Sequence, residues 1–245
     1  MRTLIPFIAA AWFVMPQPAG AQSRCADCHF ANMDASFAEH ISDWERSAHG
    51  RAAVGCESCH GGDAGTFESV LAHRNILPPS HRASPVNRIN LPATCGKCHA
   101  GPFAVFQESR HFALLRAGDP NPPTCSTCHG EVAADLLSPK GLEGQCARCH
   151  GADRTYQRTE YPAQARLMLQ NIRDVRAQLK EAESLIRRVK DTARRAELTA
   201  AADQVRVPLT EAAHAGHAFR FEGLQERVDT ARVRVTALLE RLANR

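Results

Sequence analysis

The sequence predicts a mainly α-helical chain made of two dissimilar parts. Short helices and loops wrap covalently held groups, and a long helical hairpin follows. Three observations predict this. Cys-x-x-Cys-His occurs five times, and the five copies use all ten cysteines. Aromatic residues make up only 6% of the chain, few for a self-sufficient core of this size. The last third has no cysteine and carries an apolar stripe at helical spacing.

Residues 1–21 read as a secretory signal. Arg2 supplies the positive start, Leu4 to Met15 an apolar run, and Ala19-Gly20-Ala21 a small-x-small cleavage site, so the cut is expected after Ala21. The alternative is a retained anchor, but the run is shorter than the roughly 20 residues that span a bilayer. No other stretch is apolar enough to cross a membrane. The expected location is therefore the periplasm, with no membrane span in the mature chain.

Residues 22–159 form the motif-bearing part, and it contains a near-repeat. The first unit runs Cys25-Ala-Asp-Cys28-His29, Trp44-x-x-Ser47-x-His49, Cys56-Glu-Ser-Cys59-His60. The second runs Cys95-Gly-Lys-Cys98-His99, Phe106-x-x-Ser109-x-His111, Cys125-Ser-Thr-Cys128-His129. A fifth motif, Cys146-Ala-Arg-Cys149-His150, stands alone. Such repetition points to a modular array. The proline-rich runs at 77–80 and 119–123 exclude regular elements there.

Residues 160–245 read as an antiparallel helical hairpin. Met168, Ile172, Val175, Leu179, Ala182, Ile186, Val189, Ala193 and Ala196 alternate spacings of four and three. Phe221, Leu224, Val228, Ala231, Val235, Leu238 and Leu242 resume the pattern. The turn is expected near Arg206–Pro208, after a first helix from about Ala163 to Gln204. The two arms can zip to each other, or the seam can also join copies of the chain into a homo-oligomer.

The motifs dictate a cofactor. Two cysteines with a two-residue spacer suit thioether bonds to the vinyl groups of haem c, and the next histidine falls under the iron. Zinc would need pairs of Cys-x-x-Cys units around each ion and gives no reason for the recurring histidine. Five haems are therefore expected, attached at Cys25, Cys28, Cys56, Cys59, Cys95, Cys98, Cys125, Cys128, Cys146 and Cys149. Their proximal ligands are His29, His60, His99, His129 and His150. Ten propionates outweigh the formal charge of +4, so the excess of Lys and Arg is no nucleic-acid footprint. No basic cluster interleaved with aromatics exists to bind nucleic acid.

The second axial position has seven histidine candidates: His49, His111, His73, His40, His81, His214 and His217. His49 and His111 lead because they hold equivalent places in the two units. His214 and His217, three apart, share a helix face. Met168 lies on the apolar stripe and is expected in the core; Met33 is a further candidate without supporting context. The fifth motif has no candidate nearby, so an iron open for chemistry is expected there if anywhere.

Residues 25–151 resemble the multihaem c-type cytochrome superfamily, in the sequence Cys95-x-x-Cys98-His99, Phe106-x-x-Ser109-x-His111, Pro123-Thr-Cys125-Ser-Thr-Cys128-His129-Gly130. That superfamily includes the tetrahaem cytochrome of ammonia oxidisers, the hydroxylamine oxidoreductases, the pentahaem nitrite reductases, and periplasmic pentahaem and decahaem carriers. The resemblance implies the multihaem cytochrome fold of short helices and loops around stacked haems. It also implies distal ligation by His49 and His111. The C-terminal helices look like those of the hydroxylamine oxidoreductase and nitrite reductase branch. The chain departs from those enzymes. No motif ends in the lysine of the nitrite reductase catalytic haem, and Tyr156 and Tyr161 match no cross-linking tyrosine.

Two functions follow as expectations. The first is a periplasmic electron carrier between a quinol-oxidising donor and a terminal reductase or outer-membrane partner. The second is an oxidoreductase of small nitrogen or sulfur oxyanions at one five-coordinate haem. The first is favoured because candidate ligands outnumber irons. A structural subunit that assembles haems in a larger complex is compatible with it.

Overall fold

A computed structural model describes residues 23–31, 35–132, 137–154 and 156–244. The expected signal segment at 1–21, its cleavage site and Met33 lie outside these residues. The described residues are helical with irregular connections and contain no strand, as the sequence predicts. None of their helices is long and apolar enough to cross a membrane.

The motif-bearing part is a succession of short helices. Its buried apolar cluster is small: Ala26, Ile41 and Trp44, with Val132 packed against them. The two proline-rich runs are irregular, as expected. Large apolar side chains stay exposed here, among them Phe30, Phe37 and Phe67. So little burial cannot offset the entropy of ordering some 130 residues at about 1–2 kcal/mol each, so this part depends on something besides its own side chains.

The C-terminal part folds as three long helices rather than two. They are Tyr161–Ile186, Thr192–Ala215 and Phe221–Ala243. The first stripe is buried as expected from Met168 to Ile186. It then breaks: Ala193 and Ala196 are exposed, and Leu198, Ala202, Val205, Leu209 and Ala212 take over. The break is set by Asp191, whose carboxylate accepts a hydrogen bond from the Arg194 N–H at 2.6 Å and caps a new helix. The expected turn at Arg206–Pro208 does not form. Pro208 sits inside the second helix. Its ring removes the N–H that would bond the Gln204 carbonyl. Arg234 of the third helix supplies the donor instead, at 2.6 Å.

The second turn is a 3-10 segment, Gly216–Ala218, followed by Phe219 in the left-handed region at φ 57°. The Arg194 and Arg241 side chains both pair with Glu197, which places the start of the second helix beside the end of the third. Tyr161 and Phe221, opening the first and third helices, lie 5.6 Å apart between ring centres. The order is thus up, down, up. The second turn contacts the motif-bearing part, where Phe219 meets Phe106 at 6.3 Å and His214 backs onto Gly101.

Candidate functional site

Each motif is held by a helical turn. The His60, His99 and His150 N–H groups donate to the Cys56, Cys95 and Cys146 carbonyls, all at 2.9 Å. This 13-atom ring puts the first cysteine, the second cysteine and the histidine on one helix face. After His60 and His129 the chain leaves at once through Gly61 (φ 80°, ψ −159°) and Gly130 (φ 77°, ψ 172°). Only glycine adopts that region readily.

The aromatic-x-x-Ser-x-His units have one construction in both copies. Trp44 and Phe106 are buried. The Ser47 and Ser109 N–H groups donate to the Trp44 and Phe106 carbonyls at 3.0 and 2.9 Å. Each serine hydroxyl then caps the next short helix, accepting from Gly50 N–H in one and Phe112 N–H in the other, both at 3.0 Å. His49 and His111 become second residues of those helices. Gly50 is required by space: a Cβ there would lie 2.2 Å from the Trp44 carbonyl oxygen.

Every motif histidine faces one other histidine. Ring centres are 5.7 Å apart for His29–His73, 6.1 Å for His40–His60 and 5.9 Å for His49–His99. They are 6.0 Å apart for His111–His150 and 6.3 Å for His129–His217. An imidazole nitrogen binds a transition metal at about 2.0–2.1 Å and lies about 1.1 Å from its ring centre, so rings on opposite sides of one ion stand roughly 6 Å apart. All five pairs have this spacing, and the residues present fit a haem iron between each pair.

Five of the seven distal candidates are therefore brought opposite motif histidines: His40, His49, His73, His111 and His217. Two are not. His81 is exposed and its Nδ1 accepts from the Ala83 N–H at 3.1 Å within its own turn. His214 lies against Gly101. The expectation that the fifth motif lacks a partner is corrected, because His111 faces it. The aromatic-x-x-Ser-x-His histidines of the two repeat units reach outward rather than within. His49 of the first unit faces the leading motif of the second, and His111 of the second faces the fifth motif.

The surroundings favour neutral imidazoles, the form that binds iron. Burial, then the neighbouring His150, pushes His111 down to about 4. Burial also lowers His60, His129 and His150. Several other ring nitrogens have acceptors. His73 Nδ1 lies 2.8 Å from the Ser69 carbonyl oxygen, His49 Nδ1 3.1 Å from that of Val132, and His217 Nδ1 3.0 Å from that of Ala213. His40 Nδ1 is 3.6 Å from Glu131 Oε2. Around His150 stand Tyr156, whose hydroxyl donates to Asp119 at 3.2 Å, and Tyr161, with ring centres 6.0 and 5.5 Å away.

Consecutive motifs are neighbours in space. Ser23 Oγ touches Cys56 Sγ at 3.7 Å, tying the first motif's helix start to the second motif. Burial raises the Cys59 thiol, and the Cys95 thiol adds to it. The Cys95 and Cys125 thiols share a hydrogen bond, which raises the first and lowers the second. Burial pushes Cys146 up to about 11, with Cys128 the next contributor. The five motifs thus follow one another in chain order.

The comparisons with known proteins agree with this arrangement. The family described as "Cytochrome c7 and related cytochrome c" matches residues 80–151, and "Cytochrome c554 and c-prime" matches residues 10–61. The chain is 33% identical over 135 residues to the C-type polyheme cytochrome OmcB of Geobacter sulfurreducens, covering 51% of this chain and 16% of that protein. It is 29% identical over 129 residues to OmcC of the same species, a C-type polyheme cytochrome, covering 50% of this chain and 16% of that one. The chain thus spans only a small part of the length of the relatives it matches. No solved structure gives a significant match. Five motif histidines that each face another histidine, family matches in both halves of the array and the likeness to polyheme cytochromes together support a multihaem c-type cytochrome.

Proposed function

We propose that the chain carries electrons along five covalently attached haems, each with two histidine ligands. The observation that carries this reading is that five motif histidines have five different facing histidines at ring spacings of 5.7–6.3 Å. The pairs are His29 with His73, His60 with His40, His99 with His49, His129 with His217, and His150 with His111. The haems supply reversible one-electron chemistry between iron(II) and iron(III). The protein's part is to fill both axial positions, which excludes exchangeable ligands, and to set each potential through hydrogen bonds and burial. The thioethers are formed by Cys25, Cys28, Cys56, Cys59, Cys95, Cys98, Cys125, Cys128, Cys146 and Cys149.

Succession of the motifs in chain order supports a path with two ends. One end, at His29, lies beside exposed Phe37, with ring centres 5.2 Å apart, and Phe30, next in the chain, is also exposed. The other, at His150, lies beside the bundle. The partners are redox proteins, a quinol-oxidising donor at one end and a terminal reductase or outer-membrane acceptor at the other, in the periplasm after removal of residues 1–21. Chemistry at a five-coordinate iron would need a motif histidine without a facing partner. Among the described residues there is none.

Low-temperature EPR of the oxidised protein tests the reading. The expected result is five low-spin ferric signals and, by haemochrome assay, about five haems per chain. A stoichiometric high-spin signal would overturn the carrier and point to an open site.

A further inference from the structure

The five histidine pairs are not equivalent in what stands behind the distal ring. A carbonyl accepts only from an N–H. So the carbonyls beside Nδ1 of His49, His73 and His217 fix the proton on Nδ1 and leave Nε2 its lone pair. His40 has a carboxylate behind it, Glu131 at 3.6 Å. An acceptor behind the ring pushes electron density toward the metal-binding nitrogen. That stabilises iron(III) and draws the potential down.

His111 differs. Its Nδ1 is buried and has no hydrogen-bond partner among the described residues. The apolar Phe219 ring packs against it, with ring centres 4.4 Å apart and planes at 88°. Phe219 holds this position at φ 57°, a conformation bulky residues rarely adopt. Apolar burial disfavours the additional positive charge of iron(III). On the proximal side His150 Nδ1 is likewise buried without a hydrogen-bond partner among the described residues, with the Tyr156 backbone as the acceptor beside it; Arg158 and Glu160 form an ion pair at 3.8 Å and largely cancel. At the distal ring, the missing acceptor and the apolar wall therefore act in one direction, and the distal ring is what sets this site apart from the other four.

We propose that the fifth site, His150 with His111, has the most positive midpoint potential of the five and is the first to be reduced, with Phe219 as the residue that keeps it so. The inference rests on the histidine pairing above. Phe219 is a positioning residue, acting through His111 rather than on the iron.

The test is a reductive titration of the full five-haem protein followed by low-temperature EPR. His111→Ala is expected to remove one low-spin signal, and in the parent protein that signal should be the first to vanish on reduction. If the lost signal is one that titrates with or after the others, this inference is overturned while the pairing stands. If no low-spin signal is lost, the pairing fails and the inference with it. Phe219→Asn offers a side-chain acceptor on a residue that accepts the left-handed region. It should move that one signal to more negative potential and leave four in place. Phe219→Leu, apolar and without an acceptor, should leave the order unchanged. No shift in Phe219→Asn, or an equal shift of all five signals, overturns the role of Phe219. Should Phe219→Asn lose haem or helix content, the His111→Ala comparison decides the order of potentials by itself.

Discussion

The two parts of the molecule solve the problem of burial in opposite ways. The bundle buries an aliphatic stripe from each of three helices, with Val175, Val205, Val228 and Val235 at 0% exposure. Its stability is written in side chains that meet one another. The motif-bearing part buries little besides Ala26, Ile41 and Trp44 in its main apolar cluster, and leaves Phe37 half exposed beside His29 at 5.2 Å between ring centres. Its buried polar groups are serines and threonines that cap turns, Ser47, Ser109 and Thr124 among them. The difference teaches that one part specifies a core and the other specifies a mould for a core delivered separately.

The strongest way to break the comparison is to withhold the cofactor. In cells lacking haem-attachment machinery, the chain should lose the fold of residues 23–159 while the bundle stays helical. Limited proteolysis should then leave a protected fragment beginning near residue 160, and circular dichroism should retain the bundle's helix signal. Loss of both parts together would show that the bundle cannot stand alone. Next comes Leu198→Ala, which opens a cavity in the bundle at a side chain 1% exposed. A cost of about 2–5 kcal/mol is expected, seen as an earlier thermal transition in circular dichroism with the haem spectrum unchanged up to that point. Ser109→Ala is a smaller perturbation, on the cofactor side. It removes a helix cap worth about 0.5–2 kcal/mol next to His111 and should lower the temperature at which that ligand is lost, read from the Soret band. Smallest is Arg234→Leu, which deprives the Gln204 carbonyl of its donor. With water able to reach this exposed pair, about 0.5–1.5 kcal/mol or less is expected from chemical denaturation.

Much of the site was legible in the sequence because its chemistry is local. Two thiols and an imidazole within five residues define their partner without any fold. The repeat also pointed to His49 and His111, through serines that turn out to cap their helices. The pairing was not legible. His99 receives His49, and His129 receives His217, across long stretches of chain whose course depends on packing. The want of a nearby candidate at the fifth motif is of this kind: nearness in sequence is not nearness in space, and His111 faces His150. In the bundle the helical period is legible but its punctuation is not. Pro208 reads as a breaker, yet a neighbouring helix satisfies the carbonyl it orphans. Asp191, ahead of a fresh apolar period, is the start signal that the longer stripe conceals.

The short turn at 216–219 gives this chain a timetable. His29, His60, His99 and His150 find their facing rings within the first 150 residues, and His129 alone depends on a residue beyond them, His217. On the proposed pairing, a chain emerging amino end first can close four sites before the bundle exists. The remaining one stays open until two further helices have been made and the turn after the second has docked. Completion of the fourth site would thus record that the chain has arrived and folded as far as the turn after the second helix, and a chain cut short of His217 would carry the mark of its own incompleteness there.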